Sequence, residues 1–520
     1  MSLVKTVATV GGWTMVYRVS GFVRDVAQSS ILGAGIFADV FSLAFKFANI
    51  LRKLFAEGSF NASFLPIFSN ALKDKGHDEA QRIASQVLTW LVFLVSFIMI
   101  VCLVCFRSIM AGYAPGIDPA SEKFEHLISL GRICSPYIAA SFLAALFSGV
   151  LNTVNRFAMP AAAQLMLNIT VIAALFIGPL WFPSTAYTMA WATFIGGALQ
   201  VAILWINVKF CGFRVWLDLS PMREEVKIFF RKLVSGAIGS GVWQLNVIVD
   251  FVILSFLPTG AVSYFYYTDH VNQFPVGILG IAFSTALLPP LTRAIHSRNH
   301  AGAQKQMNLG LLFAFLFTLP AAVILISLCE PVTGAIYGRG NFGPEHVAAA
   351  APALAAFACG LPAYMATKVF STMFFANKDT RTPLNGGLLS ILVNLLGAML
   401  LMPCLKHTGI ALATSVAAWC NGIYLMVMLK KLGTVQIDRE TIGQCLNQLL
   451  ISGVMLASIL IMNAYADPHY LNGGADRNLA LLTVTTISIF VFLMLGKTFK
   501  TFKFLDELKS LEDEKLDNKK

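Results

Sequence analysis

The chain has 520 residues, of which 57% are apolar and only 12% are charged. The charged share is about half of that in soluble proteins, so the polar side chains are too few to cover a surface in water. Composition therefore excludes a soluble enzyme, a disordered protein and a secreted disulfide-stabilised domain. It predicts an all-α polytopic membrane protein, whose apolar surface is solvated by lipid.

Apolar stretches long enough to cross a bilayer, about 20 residues each, recur along the whole chain. The first two also carry several charged side chains, so hydropathy alone makes them the least evident. Reading between charged, glycine-rich or proline-rich breaks predicts fourteen spans: 7–33, 37–69, 83–106, 126–152, 160–181, 185–208, 228–256, 260–290, 306–328, 346–375, 384–404, 408–429, 443–464 and 479–499.

The basic residues are distributed asymmetrically around these spans. With the N-terminus inside, the inside segments hold most of the 38 Lys and Arg residues. This is the positive-inside pattern, so we expect both termini to be cytoplasmic. The net charge of +11 then lies mainly on the face where anionic lipids attract it, and no nucleic-acid partner is needed to account for it.

Two sequences separated by 223 residues resemble each other. LPIFSNALKDKGH begins at Leu65, and LPPLTRAIHSRNH begins at Leu288. The same offset aligns Pro160 with Pro383, each at the start of a span. Six spans separate equivalent points, so the two copies have the same topology, which is a known transporter plan with the substrate site between the halves. The sequence predicts two six-helix lobes in parallel pseudo-repeat, followed by two additional C-terminal helices.

This repeat also predicts the domain organisation. An N-lobe at 1–208 is joined by a cytoplasmic linker at 209–227 to a C-lobe at 228–430. The two additional helices occupy 431–500, and a cytoplasmic tail follows at 501–520.

The first two spans carry the unusual chemistry of the chain. A charged group at the centre of a bilayer costs about 2.5–3.5 kcal/mol on insertion scales, so these groups are expected to face a wet cavity or one another. Helical spacing places positions 18, 21, 25 and 28 on one face, and positions 46, 49, 53 and 57 on another. The candidate substrate-binding residues of these spans are Arg18, Arg24, Asp25, Asp39, Lys46, Asn49, Arg52, Lys53 and Glu57.

Basic groups outnumber acidic groups in these two spans by a formal two charges, so a cavity between them would attract an anion. Arginine at 18, 24 and 52 favours phosphate, because a planar guanidinium donates two parallel hydrogen bonds. A diphosphate would neutralise the surplus. Internal ion pairs, or snorkelling of Lys53 and Glu57 towards headgroups, would account for part of the charge instead.

The second half of the chain contributes three further candidates. Asp269 and His270 follow an aromatic run in span 8 and would close the cavity from the other half. Asp250 lies in span 7, with no basic residue nearby in sequence. A carboxylate within the membrane indicates either a Na⁺ or H⁺ site used for coupling, or a protonated and hydrogen-bonded Asp. No other cofactor is expected, and the absence of catalytic and nucleotide-binding motifs favours a transporter over an enzyme.

Several segments of the chain resemble the MurJ/MviN family. They are SGFVRD from Ser20, LGAG from Leu32, ADVF from Ala38, NILRKLFAEG from Asn49, NTVNRF from Asn152, YYTD from Tyr266 and DTRTP from Asp379. The RKLFAEG sequence is highly specific, and the resemblance extends over nearly the whole chain. The chain departs from the family pattern at His270, where an Arg is usual, and at Ala48, where a Pro is usual.

The resemblance implies a flippase that moves lipid II from the cytoplasmic to the outer leaflet of the bacterial inner membrane during cell wall biogenesis. The two lobes would alternate access to a cationic cavity that binds the diphosphate. The resemblance implies roles for Arg18, Arg24 and Arg52 with Asp25, and a groove for the lipid tail in the last two helices. Some members bind sodium in the second lobe. Membrane lipids and cell-wall synthesis enzymes are the further partners that it suggests.

Other functions stay open on the sequence alone. A flippase for another lipid-linked oligosaccharide, or a cation-coupled drug exporter of the same exporter superfamily, would share the fold. A drug exporter predicts an acidic and aromatic cavity, whereas this one is cationic. A membrane scaffold for wall-synthesis enzymes, without transport, predicts that Arg24 and Arg52 can be neutralised without harm.

Overall fold

The structure, a computed structural model, describes residues 3–55, 59–178, 184–286, 288–297, 299–432, 437–472, 474–499, 501–502 and 504. Within these ranges all regular secondary structure is helical, and no strand is present. The prediction of an all-α polytopic membrane protein is confirmed.

Eleven helices form the first part of the chain. They are α1 Leu3–Leu32, α2 Ile36–Phe55, α3 Ser59–Asp74, α4 His77–Val104, α5 Phe106–Tyr113, α6 Glu122–Cys134, α7 Pro136–Thr153, α8 Ala158–Ala163, α9 Leu165–Ile177, α10 Thr185–Phe210 and α11 Glu224–Leu254. Nine follow: α12 Ala261–Ala286, α13 Leu288–His296, α14 His300–Ser327, α15 Cys329–Tyr337, α16 Pro344–Ala358, α17 Leu361–Ala376, α18 Arg381–Leu432, α19 Arg439–Asn472 and α20 Gly474–Thr498.

The predicted repeat is confirmed in the bounds of these helices. Helix α4 begins at His77 and α14 begins at His300, an offset of 223 residues, and both are 28 residues long. Each of the helices α15 to α18 begins at nearly the same offset from the start of its counterpart among α5 to α8. The backbone also repeats, since Asn155 and Lys378 both adopt a left-handed φ of 60°.

Some predicted spans are built from two helices. Span 37–69 comprises α2 and α3, and span 126–152 is divided between α6 and α7 at Pro136, which cannot donate a backbone hydrogen bond to the preceding turn. The two predicted spans 384–404 and 408–429 run on as α18, with a non-helical residue at Lys406.

Length and hydropathy alone mark nine membrane-crossing segments in the described part of the chain. One of these segments lies in α18 and contains two of the predicted spans. The other four predicted spans start at α1, α2, α11 and α12 respectively. Two of them, α1 and α2, are the charged spans that the sequence made least evident.

The chain folds into two compact units. The first comprises 1–266 with 339–342, and the second comprises 267–338 with 343–520. The first unit therefore includes α11, which the repeat places at the start of the second half. The lobe boundaries drawn from the repeat stay a prediction.

Phenylalanine side chains fix α11 within the first unit. Phe60, Phe64 and Phe68 lie four residues apart on α3 and are fully buried. The rings of Phe60 and Phe64 lie 5.1 and 6.0 Å from the ring of Phe229 on α11. Edge-on aromatic contacts of this kind add packing energy beyond the burial of their area.

Candidate substrate-binding site

The buried charge of α1 is organised around Arg24, whose side chain is 8% exposed, and that of Asp25 is 3% exposed. The Nη2 and Nε atoms of Arg24 donate to Asp25 Oδ1 at 2.8 and 3.1 Å. The ring of Phe45 on α2 lies 5.1 Å from the guanidinium carbon, a cation–π distance. The predicted pairing of an arginine with an acid inside the first span is present.

A third residue, Asn168 on α9, completes this cluster. Its Oδ1 atom accepts a hydrogen bond from Arg24 Nη1 at 3.2 Å. Its Nδ2 atom donates to Ser20 Oγ at 2.8 Å and to the Tyr17 carbonyl at 3.2 Å. Asn168 was not among the sequence candidates, although a single Asn in the apolar helix α9 was the available signal.

The predicted face of α1 continues beyond this cluster. Gln28 is fully buried, and its amide atoms have no hydrogen-bond partner within the described ranges. Arg18 is half-buried, and its Nε atom likewise lacks a hydrogen-bond partner in the part of the chain that is described. Buried polar atoms of this kind are normally satisfied by an ordered water or by a polar ligand.

Helix α2 carries a second group of polar side chains. Asn49 Oδ1 accepts a hydrogen bond from Arg52 Nε at 2.8 Å, which orients the guanidinium along the helix. Arg52 and Lys53 are half-buried. Glu57 lies outside the described residues. The substrate-binding roles of these residues stay predictions.

Lys46 connects α2 to α11 and α12 through aromatic rings. Its Nζ atom lies 5.1 Å from the ring centre of Phe251 and 5.8 Å from that of Tyr266. Asp250, next to Phe251, is 5% exposed. The fold therefore brings a basic side chain to the neighbourhood of Asp250, which the sequence separates from any such residue.

Asp39 is held in a structural contact. Its Oδ2 atom accepts from Lys123 Nζ at 3.0 Å and from the Gly260 amide at 2.9 Å. Its Oδ1 atom accepts from the amide and hydroxyl of Ser263 at 3.0 and 2.7 Å. Asp39 is fully buried and caps the N-terminus of α12, where a carboxylate complements the helix dipole.

In the second unit, Asp269 and His270 lie half-buried on α12. Asp269 Oδ2 accepts a hydrogen bond from Gln273 Nε2 at 2.7 Å. Their part in substrate binding stays a prediction. Among the described residues, no group of three or more His, Cys, Asp or Glu side chains is placed to hold a metal ion.

The helices and the buried charges define a multi-pass membrane transporter. A solved structure of an inward-facing multidrug resistance MATE transporter matches 82% of this chain and 98% of its own, with a TM-score of 0.67 and 16% identity, which shows a shared fold. A structure described as lipid II flippase MurJ in the inward closed conformation matches more closely, with a TM-score of 0.79 and 25% identity over 95% of this chain and 99% of that one.

Sequence comparison narrows the class to one family. The profile of the family described as lipid II flippase MurJ matches residues 28–480. A probable lipid II flippase MurJ of Rhizobium tropici is 33% identical over 94% of this chain and 91% of its own. The lipid II flippase MurJ of Burkholderia cenocepacia is 32% identical over 84% and 85%. The chain belongs to the MurJ family.

Proposed function

We propose that this chain translocates lipid II from the cytoplasmic to the outer leaflet of the bacterial inner membrane. Family membership supports the substrate, and the two-unit helical fold supports transport by alternating access. The observation that carries the proposal is the guanidinium of Arg24, buried within a membrane span and held from two sides by Asp25 and Asn168.

Arg24 is suited to binding a diphosphate. Asp25 and Asn168 fix its guanidinium, so little side-chain entropy is lost when an anion binds. Arg52, oriented by Asn49, and Arg18, whose Nε lacks a partner within the described ranges, are further donors in the first unit. A planar guanidinium donates two parallel hydrogen bonds to the oxygens of a phosphate. This geometry favours a headgroup that carries phosphate over a neutral one.

The negative charge of Asp25 balances Arg24 when no substrate is bound. An uncompensated charge at this depth would cost several kcal/mol. When the diphosphate arrives, Arg24 exchanges part of its interaction with Asp25 for the phosphate oxygens. The acid therefore keeps the empty site stable and limits the affinity, so the substrate can also leave.

The energy for transport is proposed to come from the membrane potential or from a cation. Moving one elementary charge through 100 mV is worth about 2.3 kcal/mol, so an anionic headgroup moving outwards gains energy from a negative interior. Asp250, buried near the Lys46 contact on Phe251, is the proposed site of Na⁺ or H⁺ coupling.

Both termini are proposed to lie in the cytoplasm. Helices α19 and α20 are proposed to accommodate the lipid tail.

Equilibrium binding of fluorescent lipid II to the protein in nanodiscs tests the site. Arg24→Ala should weaken binding by at least about 2 kcal/mol, or roughly thirtyfold, as expected for loss of a buried charged hydrogen-bonding partner. Arg107→Ala is the matched control, because Arg107 also forms an ion pair, at 2.6 Å to Glu125, but is more than half exposed. Unchanged affinity in a folded Arg24→Ala protein would refute the diphosphate role.

A further inference from the structure

The linker between α10 and α11, residues 211–223, is bound along α4 by a regular set of hydrogen bonds. The amides of Arg214, Trp216 and Asp218 donate to Gln81 Oε1 at 2.8 Å, Ser85 Oγ at 3.3 Å and Thr89 Oγ1 at 2.7 Å respectively. Alternate residues of the linker thus meet every fourth residue of the helix.

The spacing of the two segments explains this register. Two residues of extended backbone advance about 6.6 Å, and four residues of α-helix advance about 6 Å. An extended chain running parallel to α4 therefore finds one polar side chain per helical turn. The linker is a fixed structural segment.

Buried side chains and an ion pair hold the same segment from other directions. Phe213 and Val215 are each 2% exposed. The ring of Phe213 lies 4.1 Å from that of His77, in a stacked arrangement. Arg223 pairs with Glu79 at the far end of the linker, and its amide donates to Gln86 Oε1 at 3.2 Å.

This fixed segment nevertheless exposes large apolar side chains. Trp216, Leu217 and Leu219 are 59%, 62% and 79% exposed, and Phe210, at the end of α10, is 84% exposed. Patches of this kind are uncommon on surfaces that face water. We call Phe210, Trp216, Leu217 and Leu219 the linker patch.

The surroundings of the linker patch indicate what covers it. The patch continues from the end of α10, a helix long and apolar enough to cross a membrane. The rings of Trp216 and Trp205 meet edge to face at 5.6 Å. Two exposed basic residues flank the patch: Lys209, whose Nζ lies 5.6 Å from the Trp205 ring, and Arg214. Tryptophan with flanking basic side chains is typical of the boundary between lipid headgroups and acyl chains.

We propose that the linker patch inserts into the headgroup boundary of the adjoining leaflet, and that Lys209 and Arg214 bind anionic phospholipid headgroups there. The bonds to α4 hold the apolar side chains at a fixed depth. The linker thereby anchors the start of α11 to the membrane surface. This inference does not depend on which substrate is transported.

Photocrosslinking of the full chain in vesicles of phosphatidylethanolamine and phosphatidylglycerol tests the proposal. A benzoylphenylalanine placed at position 217 or at position 219 should form protein–phospholipid adducts, detected by intact mass. The matched control position is Asp78, at the start of α4, whose side chain is fully exposed and should give almost no lipid adduct.

The charge requirement is tested in the same vesicles. Arg214→Gln should reduce the preference for phosphatidylglycerol over phosphatidylethanolamine adducts by about fivefold, the effect of one basic residue near an anionic surface. Lipid adducts at 217 and 219 no more abundant than at position 78, or protein–protein adducts in their place, would overturn the proposal. If one labelled position fails to fold, the other decides.

Discussion

Asn168 on α9 holds Arg24 on α1 at 3.2 Å, and the same carboxamide donates to Ser20 Oγ at 2.8 Å. The neutral Asn168 side chain therefore links the guanidinium of Arg24 to a backbone carbonyl and a hydroxyl of α1, the helix that carries Arg24. The contact joins two helices that are more than 140 residues apart in sequence. It sets the direction in which the proposed diphosphate donor points.

Replacing Asn168 should impair transport more than it impairs folding. Asn168→Ala removes a hydrogen bond to a charged group, worth about 1.5–3 kcal/mol, and leaves Arg24 free to rotate. We expect a clear fall in lipid II affinity and in translocation rate. Asn207→Ala is the control, because the Asn207 side chain donates to the Ile203 carbonyl of its own helix at 2.8 Å. Equal effects of the two variants on affinity would contradict a positioning role.

The ion pair of Arg24 and Asp25 should show strong coupling in a double-mutant cycle. Asp25→Asn leaves a buried guanidinium without its counter-charge and should lower stability by about 3–5 kcal/mol. Combining it with Arg24→Gln should restore much of that stability, because no buried charge is then left unpaired. Transport should stay lost in the double variant. Restored transport together with restored stability would show that the pair is purely structural.

Asp39 should act on stability through the start of α12. Asp39→Ala removes the bonds to Gly260 and Ser263 and leaves Lys123 without its acidic counter-charge, so a loss of about 3 kcal/mol is expected. Thermal unfolding in detergent measures it. Asp118→Ala, which removes an exposed local bond to the Ala120 amide, should cost much less. A loss no greater than that of Asp118→Ala would rule out the capping role.

The first turn of α18 should loosen in acid. Hydrogen bonds from the hydroxyl and amide of Thr382 hold the pKa of Asp379 below its ordinary value. A depressed folded-state pKa means that the contribution to stability is complete above the unfolded pKa of about 3.9 and is lost as the pH falls through the lower folded value. Protection of the Thr382 amide from hydrogen exchange, corrected for the intrinsic rate, should fall in that window.

The Asp379→Asn variant supplies the control for this pH dependence. An Asn side chain still accepts hydrogen bonds but does not titrate, so the corrected protection should be flat across the same window. A persistent acid transition in the variant would assign the effect to another group.

The repeat and the spans were predictable because they rest on periodic patterns. Equivalent turns at Asn155 and Lys378 follow from sequence similarity at one offset, and apolar length alone places most helices. Arg24 and Asp25 were predictable as a pair because adjacent charges inside a span are costly unless they compensate each other.

Contacts between distant helices were not predictable in the same way. Asn168 is the single Asn in an apolar helix, and nothing in its own segment indicates that it faces Arg24. Asp39 is a sequence candidate because it is a charged residue of the second span, but only the fold shows that it caps α12. The polar stripe on α4 is visible in the sequence as Gln81, Ser85 and Thr89, whereas its partner, the extended linker, lacks a periodic signal of its own.

Translocation of labelled lipid II in proteoliposomes, with and without an imposed membrane potential, tests the central claim most directly. The account predicts transport by the wild type that Arg24→Ala and Arg52→Ala abolish, while the folded Arg107→Ala protein transports normally. Faster transport with the potential would support charge-driven movement of the headgroup. Absence of transport by a well-folded wild type under the potential and under sodium and proton gradients would contradict the account, as would undiminished transport by Arg24→Ala.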